Sequence, residues 1–185
     1  MNHAQAQALL DEAEVIYDPA AVQAAVAAIA ADIRGKLAGQ YPLVLGVMTG
    51  GLVFCGQLLP RLDFPLDVDY LHATRYGPET RGGKISWRSA PWISVQGRIV
   101  LVVDDILDEG VTLAAVKESL IQQGAAAVYT AVFADKLNGK QKPITADFVG
   151  LSVPDRFVFG FGMDAGGAWR NLPAIYAMKE GSESL

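Results

Sequence analysis

Three aspartates follow an apolar run near the middle of the sequence, and their types and spacing fit a chemical role. The stretch VLVVDDILDEGVT, residues 100–112, contains Asp104, Asp105 and Asp108 within five positions. Adjacent carboxylates at the end of a buried strand can bind a cation or the hydroxyl groups of a polyol. A capped and solvated turn is the simpler alternative, but three aspartates carry more charge than a cap requires.

The turn after the aspartate pair, residues 108–112, has the composition of an anion site. It precedes a predicted helix, and the first N–H groups of a helix have no partner inside that helix. Gly110 lets the backbone approach a ligand closely, and the Thr112 hydroxyl adds a donor. The turn therefore predicts a phosphate cradle.

Two nucleotide-binding patterns do not fit the rest of the sequence. An apolar strand that ends in two aspartates is similar to a Walker B strand, but the required GxxxxGK[ST] motif is absent and GPETRGGKIS has the wrong spacing. GFGMDA at 160–165 matches the loose dinucleotide pattern, yet too few residues follow it for a helix, a strand and an acidic ribose ligand. A nucleotide triphosphatase is disfavoured, and we interpret the second match as coincidental.

Alternating helices and strands must position these side chains. Asp18 and Pro19 predict the start of a helix that ends near Gly39. Further helices are predicted after the MTGG turn to about Pro60 and from Thr112 to Gln123. Apolar or alternating runs predict strands at 43–48, 66–73, 99–105, 126–134, 147–153 and 174–179, with a hairpin formed by 84–90 and 92–96.

This alternation determines the predicted fold class. Strands that alternate with helices and are apolar on both faces indicate an α/β fold, in which helices flank a parallel twisted sheet on each side. We interpret residues 1–185 as a single domain, because a second domain would be cramped in a chain of 185 residues. The polar, Gly-rich segment 74–84 is a candidate mobile lid.

Composition and charge narrow the classes of function. Hydrophobic residues make up 51% of the chain, but no apolar run has the length of a membrane span. The net charge of -5 argues against a nucleic-acid surface, and a single cysteine excludes an internal disulfide. The first residues are acidic and lack the features of a secretory signal. We therefore expect a cytoplasmic protein that binds neither membranes nor nucleic acid.

The stretch VLVVDDILDEGVTL resembles the phosphoribosyl-pyrophosphate signature of the type I phosphoribosyltransferases. The similarity runs from LVLGVMTGG through AVFADK and FVFGFGMD to WRNLPAIYA, and the DK at 135–136 together with RFVFGFGMD indicates the hypoxanthine-guanine branch. This resemblance implies the type I fold, with a small hood built from the chain termini. It also implies a homodimer or homotetramer.

The implied reaction is a step of purine salvage. A 5-phosphoribosyl group passes from phosphoribosyl pyrophosphate to hypoxanthine or guanine, and IMP or GMP and pyrophosphate are released. Pyrophosphate departure builds opposite charges on the ribose and the leaving group, so Mg²⁺ and backbone donors should dominate catalysis. Two alternatives stay open, namely an RNA-binding regulator with this fold and the same chemistry on xanthine or adenine.

The resemblance assigns the donor side of the site. Asp104 and Asp105 meet the ribose hydroxyls, in part through the metal, and Asp164 is the second magnesium contact. Arg170 lies near the pyrophosphate, and the aromatic ring of Tyr76 closes over the donor. The 5'-phosphate is held by the turn Asp108, Glu109, Gly110, Val111 and Thr112, and the pyrophosphate loop, often with a cis peptide at its second residue, contains Thr49 and Gly50.

The resemblance also assigns the base side. Asp108 faces the purine N7, either as a base or as a proton acceptor, and Lys136 donates to the 6-oxo group. Phe157 stacks on the base, and the backbone of Val158 touches its Watson-Crick edge. Arginine and lysine on polar turns are more often solvated, and aromatic residues between apolar residues are more often part of the core. The roles of these residues therefore depend on the resemblance.

The sequence departs from the family pattern at two positions. The pyrophosphate loop usually has a basic residue where this chain has Thr49, so backbone N–H groups must contribute more. The lid usually carries a Ser-Tyr pair, and here the pair is Arg75-Tyr76. Arg75 is a candidate source of the positive charge that Thr49 does not supply.

Overall fold

A computed structural model describes residues 1–75 and 85–179. In this part of the chain the helices are α1 His3–Glu12, α2 Pro19–Leu37, α3 Gly51–Leu58 and α4 Val111–Gln122, with a 3-10 turn at Leu59–Arg61. The strands are β1 Ala13–Tyr17, β2 Leu43–Val47, β3 Asp67–Arg75, β4 Ile85–Ser89, β5 Ile99–Leu107, β6 Ala127–Leu137, β7 Phe148–Pro154, β8 Val158–Phe159 and β9 Ile175–Met178.

The larger sheet confirms the predicted α/β fold. Its strand order is β4-β3-β2-β5-β6-β7, and every described pairing in it is parallel except that of β3 with β4. Strand β5, which carries the aspartate pair, lies in the middle of this sheet. The carboxyl ends of parallel strands meet at one edge, so the residues that follow β2, β5 and β6 share that edge.

Helices cover both faces of the sheet, as the apolar runs predict. Helices α2 and α3 bury apolar residues such as Ile33 and Phe54 with Leu101 of β5 and Phe133 of β6. Helix α4 buries Leu113, Val116 and Leu120 against the opposite face. Asp18 caps α2, because its Oδ1 accepts the Ala21 N–H at 2.8 Å, and Pro19 occupies the first helical turn.

A second, three-stranded sheet of order β1-β9-β8 forms the hood that the family resemblance implies. It brings together strands from near both chain termini. Arg156 joins them, because its guanidinium pairs with the Glu14 carboxylate and its Nε donates to the Met178 carbonyl at 3.0 Å. The Trp169 indole donates to the Ala6 carbonyl at 2.8 Å and thereby holds α1 on the hood.

The predicted hairpin between 84–90 and 92–96 is wrong. Strand β4 pairs with β3 instead, and 92–96 forms no strand. The Asp69 carboxylate accepts the N–H groups of Trp92 at 2.6 Å and Ile93 at 2.9 Å, so a side chain replaces the strand partner there. The predicted lid, apart from the backbone of its first two residues in β3, and Tyr76 lie outside the described residues.

No helix within 1–75 and 85–179 combines the length and the apolar character needed to cross a membrane.

Candidate active site

A cavity of about 460 Å³ lies at the carboxyl ends of β2 and β5 and at the start of α4. It brings together most of the predicted donor-side residues, which lie far apart in the sequence. The predicted residues that line it are Thr49, Gly50, Asp104, Asp105, Asp108, Glu109, Gly110, Val111, Thr112, Asp164 and Arg170.

The turn before α4 has the geometry of an anion cradle. Gly110 is the N-cap residue and has a φ of 76°, a conformation that glycine adopts without strain. Gly110 itself has no side chain to cap the helix, and the first turn of α4 contains no acidic residue. The N–H groups at the start of α4, which form the positive end of the helix dipole, therefore point to a site for an anionic ligand in the cavity.

The aspartate pair lies within β5 instead of at its end, because β5 continues to Leu107. Strand β2 pairs with β5 only as far as Val103, so Asp104 and Asp105 lie beside the turn that follows β2. Burial and the neighbouring Asp105 charge raise the pKa of Asp104 well above its usual range. Burial also raises the pKa of Asp105, although hydrogen bonds and Arg170 oppose this effect. A bound cation would relieve the cost of ionising both groups.

Close backbone approaches hold this wall of the cavity together. A Cβ atom on Gly50 would lie 2.0 Å from Oδ2 of Asp105, so a larger residue there would displace the Asp105 carboxylate. Gly162, with a φ of 105°, lies so near that a Cβ atom on it would be 2.3 Å from the Gly50 carbonyl oxygen. The peptide bond between Met48 and Thr49 is cis, as the family resemblance implies.

Arg170 is the cation of this wall and not a solvated surface arginine. Its Nη2 lies 2.6 Å from Oδ1 of Asp164, and its Nη1 lies 3.8 Å from Oδ2 of Asp105. Nη1 also donates to the Gly162 carbonyl at 2.6 Å. The second carboxylate oxygen of Asp164 accepts the Gly167 N–H at 2.8 Å. One guanidinium thus joins two acidic segments of the cavity wall.

Asp108 and Lys136 form a second charged group. Nζ of Lys136 lies 2.9 Å from Oδ2 of Asp108, and the Asn138 amide donates to Oδ1 and to the backbone carbonyl of Asp108 at 3.2 Å each. Partial burial alone would raise the pKa of Asp108. The hydrogen bond and charge of Lys136, with Asn138 and Lys142, instead lower that pKa below its ordinary value. Asp108 is therefore ionised across the neutral range.

Phe157 and Val158 lie in the hood and are not among the residues that line the cavity. Phe157 precedes β8, its side chain is 40% exposed, and its carbonyl accepts the Met178 N–H at 2.9 Å. An aromatic ring with this exposure is not a core residue, so its face remains accessible to a planar ligand. Val158 is buried, and its side chain packs in the hydrophobic core.

Three residues near the site were missed from the sequence. Gly162 lies in GFGMD, where the glycine spacing marks a close backbone approach instead of a dinucleotide motif. Asn138 and Lys142 lie in the polar segment NGKQK, whose composition predicts solvated side chains. Nothing local indicates that both reach the ends of β5 and β6.

The predicted metal ligands do not form a preassembled cage. Among residues 1–75 and 85–179, no group of three His, Cys, Asp or Glu side chains is arranged to hold a metal ion alone. The carboxylates of Asp104, Asp105 and Asp164 nevertheless border the same cavity. This donor set fits Mg²⁺, which usually binds one or two carboxylates, several waters and the phosphates of its substrate.

Comparison with known proteins identifies a family and relatives that this chain resembles. The profile of the family described as "Phosphoribosyl transferase domain" matches residues 12–165. The hypoxanthine-guanine phosphoribosyltransferase of Bacillus subtilis is 33% identical over 180 residues, covering 97% of this chain and 96% of that protein. The enzyme of the same name from Streptococcus agalactiae is 30% identical over 171 residues, covering 92% of this chain and 95% of that protein.

Solved structures show the same fold. The crystal structure of a hypoxanthine phosphoribosyltransferase from Staphylococcus aureus matches with a TM-score of 0.88 and 27% identity, covering 100% of both chains. A hypoxanthine-guanine-xanthine phosphoribosyltransferase matches with a TM-score of 0.82 and 28% identity, covering 94% of this chain and 99% of that one. The match extends over the hood and the sheet.

Proposed function

Because the chain belongs to the phosphoribosyltransferase domain family, we propose that it is a purine salvage enzyme. It transfers the 5-phosphoribosyl group of phosphoribosyl pyrophosphate to hypoxanthine or guanine, which gives IMP or GMP and pyrophosphate. The observation that carries this proposal is the Asp108–Lys136 pair beside an uncapped helix start. It puts a donor and an acceptor for a 6-oxopurine next to a cradle for the phosphate.

The donor occupies the cavity between the turn 108–112 and the pyrophosphate loop. The 5'-phosphate binds the N–H groups of the turn from Asp108 to Thr112, where no side-chain cap competes. The ribose hydroxyls bind Asp104 and Asp105. The pyrophosphate lies on the backbone at Thr49 and Gly50, and Arg170 supplies the positive charge nearest to it. This arrangement uses backbone donors where a basic side chain is missing at Thr49.

Magnesium is the cofactor that fits this donor set. Asp104 and Asp105 would hold it together with the donor's oxygens, and Asp164 would supply the second magnesium contact. When bound, the metal would neutralise charge on the leaving pyrophosphate. The raised pKa values of Asp104 and Asp105 support this role, because burying two adjacent carboxylates without a cation is unfavourable.

The base binds between the Asp108–Lys136 pair and the hood. The protonated Lys136 amine donates to the 6-oxo group, and the Asp108 carboxylate accepts a proton or hydrogen bond at N7. Phe157 stacks on the purine, and the Val158 backbone meets its Watson-Crick edge. Tyr76 and the segment 74–84 would close over the donor and keep water from the activated ribose.

Catalysis then depends on charge that is positioned before reaction. Positive charge develops on the ribose beside Asp104 and Asp105, which a bound cation would keep ionised. Negative charge develops on pyrophosphate beside Arg170 and the N–H groups of the pyrophosphate loop. Asp108 holds the purine so that the attacking nitrogen faces the anomeric carbon on the side opposite pyrophosphate. Inversion at that carbon follows from this placement.

The assembly and compartment belong to the same proposal. We expect a single domain over residues 1–185, a homodimer or homotetramer, and a location in the cytoplasm. Light scattering coupled to size-exclusion chromatography measures the subunit number directly. The net charge of -5 supports the enzyme over an RNA-binding regulator.

The proposal is tested by incubating the purified chain with phosphoribosyl pyrophosphate, Mg²⁺ and each of hypoxanthine, guanine and xanthine. The expected products are the nucleoside monophosphate and pyrophosphate in a ratio of about one to one, because one glycosidic bond forms for each pyrophosphate released. Xanthine is included because one similar structure carries it in its name. No nucleotide from any of the three bases would overturn the proposal.

A further inference from the structure

Lys142 makes a buried contact set that the proposed chemistry does not use. Its side chain is only 14% exposed. Nζ donates to the carbonyl of Leu107 at 2.7 Å, to the carbonyl of Lys136 at 2.7 Å and to Oδ1 of Asp135 at 2.5 Å. All three donor sites of the ammonium group are therefore occupied, which is the arrangement that a buried lysine requires.

These contacts join the ends of two neighbouring strands. The ladder between β5 and β6 ends at the pair Leu107 and Asp135. Directly beyond it come Asp108, which follows β5, and Lys136 of β6, and these two residues carry the base-side charges. Lys142 bridges this last rung, so it takes the place of the backbone hydrogen bonds that the ladder no longer supplies.

The segment that carries Lys142 also packs on the phosphate turn. A Cβ atom on Gly110 would lie 3.6 Å from Cβ of Lys142 and 3.2 Å from Cγ2 of Ile144. Asn138, at the start of the same segment, donates to Asp108. The segment thus contacts Asp108 from one side and the start of α4 from the other.

We propose that Lys142 is a positioning residue that ties the end of β5 to the end of β6 and thereby fixes Asp108 and Lys136 at the separation that a 6-oxopurine requires. The inference rests on the proposed function for the identity of the base. Lys142 touches no substrate itself. It acts through the backbone at Leu107 and Lys136, whose positions decide where the two base-contacting side chains lie.

The test compares Lys142→Met with Lys117→Met in the full chain. Lys117 is the matched control, because it also pairs with an aspartate, Asp147 at 3.4 Å, but lies on α4 away from the cavity lining. Two quantities are measured for each variant. The first is KM, determined separately for hypoxanthine and for phosphoribosyl pyrophosphate. The second is the rate of amide hydrogen exchange of residues 137–144 without ligand.

Lys142→Met is expected to raise the KM for hypoxanthine about tenfold, the equivalent of one or two hydrogen bonds, with the donor KM changed less than about threefold. Exchange in 137–144 should accelerate about tenfold or more, since the segment loses its anchor. Lys117→Met should leave both quantities at the wild-type value. A folded Lys142→Met with an unchanged hypoxanthine KM, or with equal losses for both substrates, would overturn the proposal.

Two outcomes need a second variant or readout. If Lys142→Met does not fold, Asp135→Asn is tested instead, because it removes only the charge of the carboxylate partner. It should raise the hypoxanthine KM about threefold, since charged hydrogen bonds contribute more than neutral ones. A wild-type hypoxanthine KM in Asp135→Asn would overturn the proposal. If the wild-type chain makes no nucleotide, the proposed function fails by itself. The exchange of 137–144 then still decides whether Lys142 anchors the strand ends.

Discussion

Lys136 and Asp108 face each other across the ends of neighbouring strands, with Nζ of one 2.9 Å from Oδ2 of the other. The Lys136 charge stabilises the ionised form of Asp108, and the pKa of Asp108 is lowered as a result. Under the proposed function, a purine that binds beside the pair would find a donor and an acceptor already in place. Under the proposed function, base selection depends on this pair.

Asp108→Asn should preserve donor binding and slow transfer by roughly 10 to 10,000-fold, the upper part of that range applying if Asp108 moves a proton. The amide keeps the shape of the carboxylate but cannot accept a proton. The measurement is kcat with hypoxanthine alongside the KM for phosphoribosyl pyrophosphate. Asp63→Asn is the control, because Asp63 is 79% exposed and pairs only loosely with Arg34 at 3.8 Å. Unchanged turnover in Asp108→Asn would reduce Asp108 to a residue of the phosphate turn.

Asp104→Asn should raise the melting temperature of the metal-free protein at neutral pH by roughly 2 to 6 °C while it impairs donor use. The pKa of Asp104 is raised by burial and by Asp105, so the folded state binds more protons than the unfolded state between the ordinary and the raised value. Stability therefore falls as pH rises through that window. The gain of the variant should shrink as pH is lowered toward about 4, the ordinary pKa of aspartate. A lower melting temperature at neutral pH would contradict this account.

Gly162→Ala should destabilise the fold by roughly 3 to 5 kcal/mol and raise the KM for phosphoribosyl pyrophosphate. The new Cβ atom would lie 2.3 Å from the Gly50 carbonyl oxygen, and Arg170 binds the Gly162 carbonyl. Gly167→Ala is the matched control, because Gly167 also has a positive φ, 90°, but no atom within 4 Å of the added Cβ. It should cost only about 1 to 2 kcal/mol. Equal costs in denaturant unfolding would show that the close approach to Gly50 is unimportant.

Transfer should require a divalent cation. Asp104, Asp105 and Asp164 border the cavity, and only Arg170 compensates their charge from the cavity wall among the described residues. Adding a pyrophosphate donor without metal would increase the negative charge further. The initial rate is measured in excess chelator and again after Mg²⁺ is restored. Full turnover in chelator would refute the metal role.

The central part of the fold could be predicted because its strands are buried on both faces. A continuous apolar run such as 99–103 indicates a parallel strand without reference to its neighbours. The hairpin at 84–96 failed because Asp69, which is distant in the sequence, binds the backbone at Trp92 and Ile93. Strands β1 and β8 gave no signal of their own, since they are short and depend on β9 for pairing.

The residues of the site also fall into those that the sequence predicts and those that only the fold brings together. Asp104, Asp105 and the turn to Thr112 are contiguous, so the sequence alone indicates their chemistry. In the structure these residues line one cavity. Asp164 and Arg170 needed the family resemblance, because only folding brings them to β5. Lys142 could not be predicted at all. Its three partners belong to the ends of two strands, and a lysine in a polar segment is ordinarily solvated.

The most direct test of the account compares hypoxanthine with adenine as substrates of the unmodified protein. A 6-oxopurine presents an acceptor to the protonated Lys136, whereas adenine presents an amino donor that leaves the lysine unpaired. We predict a kcat/KM for hypoxanthine at least about 1,000-fold above that for adenine, and Lys136→Ala should reduce this ratio by weakening use of hypoxanthine. Efficient conversion of adenine by the wild-type protein would contradict both the role of Lys136 and the proposed 6-oxopurine specificity.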